Sequence, residues 1–222
     1  MCFSPTASFT AGILLTATGC VTISNTPNRR SVLFASIPLL FGVQQLAEGF
    51  VWLSLLGSPG ADRFAWQWAH LYSLFAFALW PMLIPLAVLL VEPAGRRRMA
   101  IAGATVAGWA TGLILLYSIM TYDLHPEIAR NSIAYHFYAP GPEWGLWVYL
   151  GATCGACLVS SQSFVRWFGA LMLAGAAVSY MLYVHTFIST WCFFAALLSM
   201  MILVQFAPAP MSARLRERRH GA

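Results

Sequence analysis

The sequence predicts an all-α membrane protein of seven transmembrane helices, with its amino terminus outside and its carboxyl terminus in the cytoplasm. Three observations carry that expectation. Of the 222 residues, 59% are hydrophobic and 9% are charged, against about 25% charged in a soluble domain. Seven apolar stretches approach the ~20 residues that a spanning helix needs at a rise of ~1.5 Å each. Arginine falls in alternate connections, as the positive bias of cytoplasmic loops demands.

The stretches follow one another with clear stops. The first covers residues 4–24 and ends at Thr26-Pro27-Asn28-Arg29-Arg30; the second covers 31–56 and ends at Gly57-Ser58-Pro59-Gly60, a strong breaker cluster. The third, 64–91, contains Pro81 and Pro85, which remove two backbone donors and predict a kink in its inner half. The fourth covers 99–120. A polar and aromatic segment at 121–142 is too long for a turn and forms an outer loop or lid. It is compatible with a short helix opened by Pro126 or with a strand over Ser132–Tyr138. The last three stretches are 143–160, 163–184 and 187–206, the final pair joined by a very short connection. The domain organisation is therefore one membrane domain over 1–207 and an Arg-rich cytoplasmic tail over 208–222.

All twelve basic residues are arginine. The absence of lysine excludes Schiff-base chemistry on a lysine amine. With seven spans, ten arginines fall on one side and only Arg63 and Arg130 on the other. The net charge of +5 thus reads as a topology signal, with the lipid bilayer as partner and no nucleic acid. Trp52, Trp66, Trp68, Trp144, Trp147 and Trp191 fall near predicted outer ends, as an interfacial belt does. Small-residue pairs Gly108/Gly112, Gly151/Gly155 and Ala170/Ala174 predict close helix packing.

The polar residues inside these stretches carry the functional expectation. Gln44, Gln45, Glu48 and Trp52 are spaced three and four apart and share one helix face. A carboxylate at such depth costs roughly 2.5–3.5 kcal/mol on insertion scales, and those that persist face a bundle interior with a partner. Glu48 falls roughly 12 Å below the outer end of its helix and His70 about 9 Å below the start of the next. Gln67, His70 and Ser73 form a second polar stripe, and Tyr183 and His185 sit at the outer end of the sixth stretch. Asp123 and His136 belong to the outer loop above them. Glu48, His70 and His185, with His136 from the lid, form a candidate ligand set for zinc or non-haem iron, and two imidazoles equally suit haem. In that reading Glu48 is a ligand or general base. Two other readings stand beside it. In one, Glu48 is the titrating group of a transporter, channel or sensor for a small molecule or ion; in the other, the polar residues only hold helices together.

Cys154 and Cys157 have the spacing of a redox or metal pair, but no second pair accompanies them and the composition around them favours small packing residues. Cys2 would become the amino-terminal residue if Met1 were removed, which makes it a candidate thiol at the outer face.

The opening Met1-Cys2-Phe3-Ser4-Pro5-Thr6-Ala7-Ser8-Phe9 and the run Ile37-Pro38-Leu39-Leu40-Phe41-Gly42-Val43-Gln44-Gln45-Leu46-Ala47-Glu48-Gly49 resemble an uncharacterised family of small bacterial integral membrane proteins. The resemblance covers most of the chain and implies a multi-span fold in the bacterial inner membrane. It brings no activity or cofactor, and directs attention to Cys2, Gln44, Gln45 and Glu48. The seven-span ceramidase and adiponectin-receptor-like hydrolases carry a His-x-x-x-His pair in the last helix. Here His185-Thr186-Phe187-Ile188-Ser189 lacks the second histidine.

Overall fold

The computed structural model describes residues 4–129, 131–140 and 145–206, the Val184 side chain excepted; Cys2 and Trp144 lie outside them. Seven helical segments are present: α1 (Pro5–Ser24), α2 (Arg29–Leu55), α3 (Asp62–Val91), α4 (Arg96–Thr121), α5 (Gly145–Val159), α6 (Ser163–Leu182) and α7 (Phe187–Gln205). A hairpin of β1 (His125–Ala129) and β2 (Ser132–His136) separates α4 from α5.

Six of the helices are long and apolar enough to cross a membrane. The exception is α5. Its described residues extend ~22 Å at ~1.5 Å per residue, short of the ~30 Å hydrocarbon core, and Gly151–Gly155 forms a π turn within it. Where seven spans are expected, the described residues thus hold six helices long enough to cross and one shorter apolar helix.

α1 starts where Ser4 Oγ accepts the Ala7 N–H at 3.2 Å and Pro5 occupies a first-turn position that needs no donor. It then packs closely along α2. A methyl added to Gly19 would collide with the Leu39 backbone, and one added to Gly42 would lie 2.7 Å from the Thr16 backbone nitrogen. These glycines let two backbones approach in a way no larger residue permits.

α3 is irregular where its prolines predict. A π turn at Leu74–Leu79 precedes Pro81, and the carbonyls that it and the prolines release find partners on neighbouring helices. Tyr149 of α5 donates its hydroxyl to Ala76 O at 2.7 Å. Pro85 has no N–H for Pro81 O, and Gly108 of α4 sits directly against that carbonyl. The Gly108/Gly112 pair therefore packs as predicted. Gly151 and Gly155 do not, because a Cβ on either would meet open space; they form the π turn instead.

Leucines, valines and aromatics cover the outside of the bundle. Val106, Leu113, Ile114 and Tyr117 of α4 and Trp167 and Met181 of α6 are exposed, an apolar surface of the kind lipid covers. Trp66 and Trp147 are exposed as an interfacial belt would be, whereas Trp52 and Trp191 are buried in side-chain packing.

The two ends of the bundle differ. At one, the outer segment is a hairpin and not a helix, paired from His125 opposite His136 to Ala129 opposite Ser132. Ile133 buries its side chain against Val51, Trp52 and Ala69, and Tyr135 stacks on Tyr72 with ring centres 4.5 Å apart. At the other end Glu92 is buried between the α3–α4 and α5–α6 connections. Its carboxylate accepts the Ser160 hydroxyl at 2.7 Å and the Ser161 N–H at 2.9 and 3.0 Å. Arg166 donates to the Ser160 and Ser161 carbonyls, Arg97 to Ser160 O and Arg98 to Glu92 O. Burial pushes the Glu92 carboxyl up, but these hydrogen bonds, joined by the Arg97 charge, outweigh it and hold the group below its ordinary value of 4.5.

Candidate functional site

The face Gln44–Gln45–Glu48 points into the bundle, and all three side chains are fully buried. α2 can present them there because its small residues Gly42 and Gly49 fall on the side that meets α1. Gln44 Oε1 accepts the indole N–H of Trp80 at 2.6 Å, and Phe41 stacks on the same indole with centres 3.8 Å apart. A buried tryptophan needs an acceptor, and this amide supplies it. The Cys192 thiol of α7 lies against the side chains of Gln44 and Tyr72 and within the field of Glu48. Neither end of the Gln45 amide has a hydrogen-bond partner among the described residues. The layer thus joins α2, α3 and α7 through polar groups.

Glu48 has a directional connection out of this layer. Ser189 of α7 donates its hydroxyl to Glu48 Oε1 at 2.6 Å. Ser132, the first residue of β2, donates in turn to Ser189 Oγ at 3.3 Å. Both hydroxyls are buried. Ser189 lines a cavity of ≈ 250 Å³ beneath the hairpin, together with Ala134, His185 and Thr186. Those last three also line a second cavity of ≈ 360 Å³ that contains Glu127, His136 and Tyr183. In that outer cavity His136 Nε2 pairs with Glu127 Oε1 at 3.0 Å, and His185 is exposed.

The expected site residues therefore divide into two groups. Gln44, Gln45, Glu48 and Ser73 are buried in the bundle; His136, His185 and Tyr183 belong to the cavity above. His70 is buried with them but turned to its own helix: Nδ1 donates to Trp66 O at 2.8 Å and the ring stacks on Trp66. Gln67 and Asp123 are exposed. Among the described residues no three His, Cys, Asp or Glu side chains are grouped to hold a metal ion. The expected set of Glu48, His70 and His185 is not assembled, because Glu48 is turned to Ser189 while His185 occupies the exposed α6–α7 turn. Cys154 and Cys157 are buried, and Cys157 packs against Gly169 of α6.

The serines are what the sequence reading missed. A signal was present: Ser189 and Cys192 are three residues apart and so share one face of α7. Ser132 left no comparable trace.

A family model described as a family of unknown function (DUF6629) matches residues 1–217. No curated protein and no solved structure matches the chain.

Proposed function

The chain belongs to that family of unknown function, and we propose that it is a proton-responsive, non-enzymatic membrane protein, a sensor or a proton-coupled transporter in which Glu48 is the group that titrates. The observation that carries this reading is the hydroxyl chain Ser132–Ser189–Glu48, with donors all pointing toward the carboxyl group. A hydroxyl that both donates and accepts can pass a proton along. The chain starts at the hairpin, beside cavities whose lining includes Glu127, His136, His185, Tyr135 and Tyr183. Cys192 of α7 lies within the field of Glu48 and against the Tyr72 side chain of α3. In this reading the cavity histidines set the protonation of the outer end. The relay then communicates it to the bundle interior.

The topology belongs to the same proposal: seven spans with α5 counted as one, the hairpin outside and the Arg-rich end in the cytoplasm of a bacterial inner membrane. The gathering of Arg97, Arg98 and Arg166 around Glu92, opposite the hairpin, supports it.

Infrared difference spectroscopy of the purified protein tests the function. A pH titration is expected to show a buried carboxyl band in the wild type that is absent from Glu48→Gln. Ser189→Ala is expected to keep the band but slow its response. A Glu48 band that ignores pH throughout the range where carboxyl and imidazole groups titrate would sink the proposal, leaving Glu48 a structural group.

A further inference from the structure

At the end of the bundle away from the hairpin, a cavity of ≈ 780 Å³ opens between the α1–α2 connection, α2, α3, α6 and the end of α7, within the ~300–1,000 Å³ typical of ligand pockets. Its lining is mixed in chemistry: Phe34, Leu90 and Phe164 are apolar, and Asn28, Arg30 and Gln162 are polar. We propose that this cavity binds an anionic phospholipid, with the phosphate of the headgroup on Arg30 and Asn28 and an acyl chain against the apolar side chains.

The donors are set for such a ligand. Asn28 Oδ1 is occupied by the Ser31 N–H and hydroxyl, each at 3.0 Å, which leaves its NH₂ as the end with donors to spare. Arg30 has no hydrogen-bond or ion-pair partner among the described residues; the one ion pair there is His136–Glu127 at the opposite end. Glu92 also lines the cavity, where it accepts from Ser160 and Ser161 and feels the charge of Arg97 from outside the lining. Arg30 and Arg97 together outnumber that one carboxylate. A guanidinium pairs with phosphate through two parallel hydrogen bonds, and basic pockets between spanning helices take up headgroups in this way. A free anion would use the polar side chains alone; the apolar ones argue for a lipid. This site is independent of Glu48 and its relay.

Native mass spectrometry of the full-length protein in detergent, titrated separately with phosphatidylglycerol, phosphatidylcholine and inorganic phosphate, tests the proposal. The wild type is expected to retain phosphatidylglycerol in preference to phosphatidylcholine. Arg30→Ala is expected to weaken that binding about tenfold, the loss of one charge-assisted contact. Asn28→Asp, which keeps the Ser31 contacts and puts a negative charge in the cavity, is expected to weaken it further. Arg96→Ala, an exposed arginine outside the cavity, serves as the control and is expected to bind as the wild type does. Equal losses in Arg30→Ala and Arg96→Ala would mean diffuse surface charge and overturn the site. Equal retention of the two lipids, or inorganic phosphate binding as tightly as phosphatidylglycerol, would overturn the lipid assignment.

Discussion

Removing the Glu92 carboxylate tests how the Arg-rich end is held together. In Glu92→Ala, the Ser160 hydroxyl, which is fully buried, and the Ser161 N–H both lose their acceptor. The buried Ser160 donor left unmade costs ~1–3 kcal/mol and the part-buried Ser161 N–H ~1–2 kcal/mol, so the variant is expected to lose ~2–5 kcal/mol. For a chain of this size that corresponds to roughly 5–15 °C in Tm, read by thermal unfolding of the detergent-solubilised protein. Glu92→Gln keeps one acceptor oxygen but turns an NH₂ toward the second donor, and is expected to lose about half as much. The pH dependence has a definite sign. The carboxyl is held below its ordinary value of 4.5 in the folded protein, so its stabilisation is fully present above that pH and is lost as pH falls through the lower folded value. The Tm gap between wild type and Glu92→Gln should therefore be constant near neutrality and close in acid. A Gln variant as stable as the wild type at neutral pH, or a gap that widens in acid, would refute the reasoning.

Other substitutions probe the remaining contacts through the same thermal measurement. Gly108→Ala should lose ~3 kcal/mol or more, because the new methyl meets Pro81 O. Gly103→Ala, with nothing near the added methyl, should gain up to ~1 kcal/mol from helix propensity. If both alanines shift stability the same way, close packing of α4 on α3 is not what Gly108 provides. Trp80→Phe leaves Gln44 Oε1 buried without its donor and should cost ~1–3 kcal/mol. Gln45→Met replaces a buried amide that has no partner among the described residues with an apolar chain of similar volume. It should raise stability by ~1 kcal/mol or more, and a fall would mean that the amide is satisfied.

The membrane helices were legible because their signal is redundant. α1 and α6 begin and end within two residues of their expected limits, since proline, asparagine and arginine mark the stops and the apolar composition fills the rest. The importance of Gln44, Gln45 and Glu48 was legible for the converse reason: polar groups in an apolar helix need interior partners. Which partners they have was not. Ser189 stands 141 positions from Glu48 and Ser132 a further 57 from Ser189, and a serine in an apolar helix is locally unremarkable. The described residues bring no three metal ligands together, and orientation is the reason. His70 lies in the bundle as foreseen, but its Nδ1 is captured by Trp66 one turn earlier, and His185 sits in a short turn whose direction no periodicity specifies. The hairpin was undecidable because Pro126 and the alternating Ser132–Tyr138 point to different local structures, and only the apolar surface formed by Val51, Trp52 and Ala69 selects one.

The order of donors in Ser132–Ser189–Glu48 has a consequence for any traffic along it. When a proton entering at Ser132 is relayed to Glu48, Ser132 keeps the new hydrogen and passes its own to Ser189, and the Ser189 hydrogen moves to the carboxylate. Every hydroxyl now points the opposite way. In that state the path is arranged to return the proton, and a second cannot follow until both serines have rotated. Rotation requires the hydrogen bonds to break in a buried place, where each is costly to leave unmade. Such a path behaves as a latch that holds one proton and must be reset, and β2, which carries Ser132, is the element whose movement would reset it.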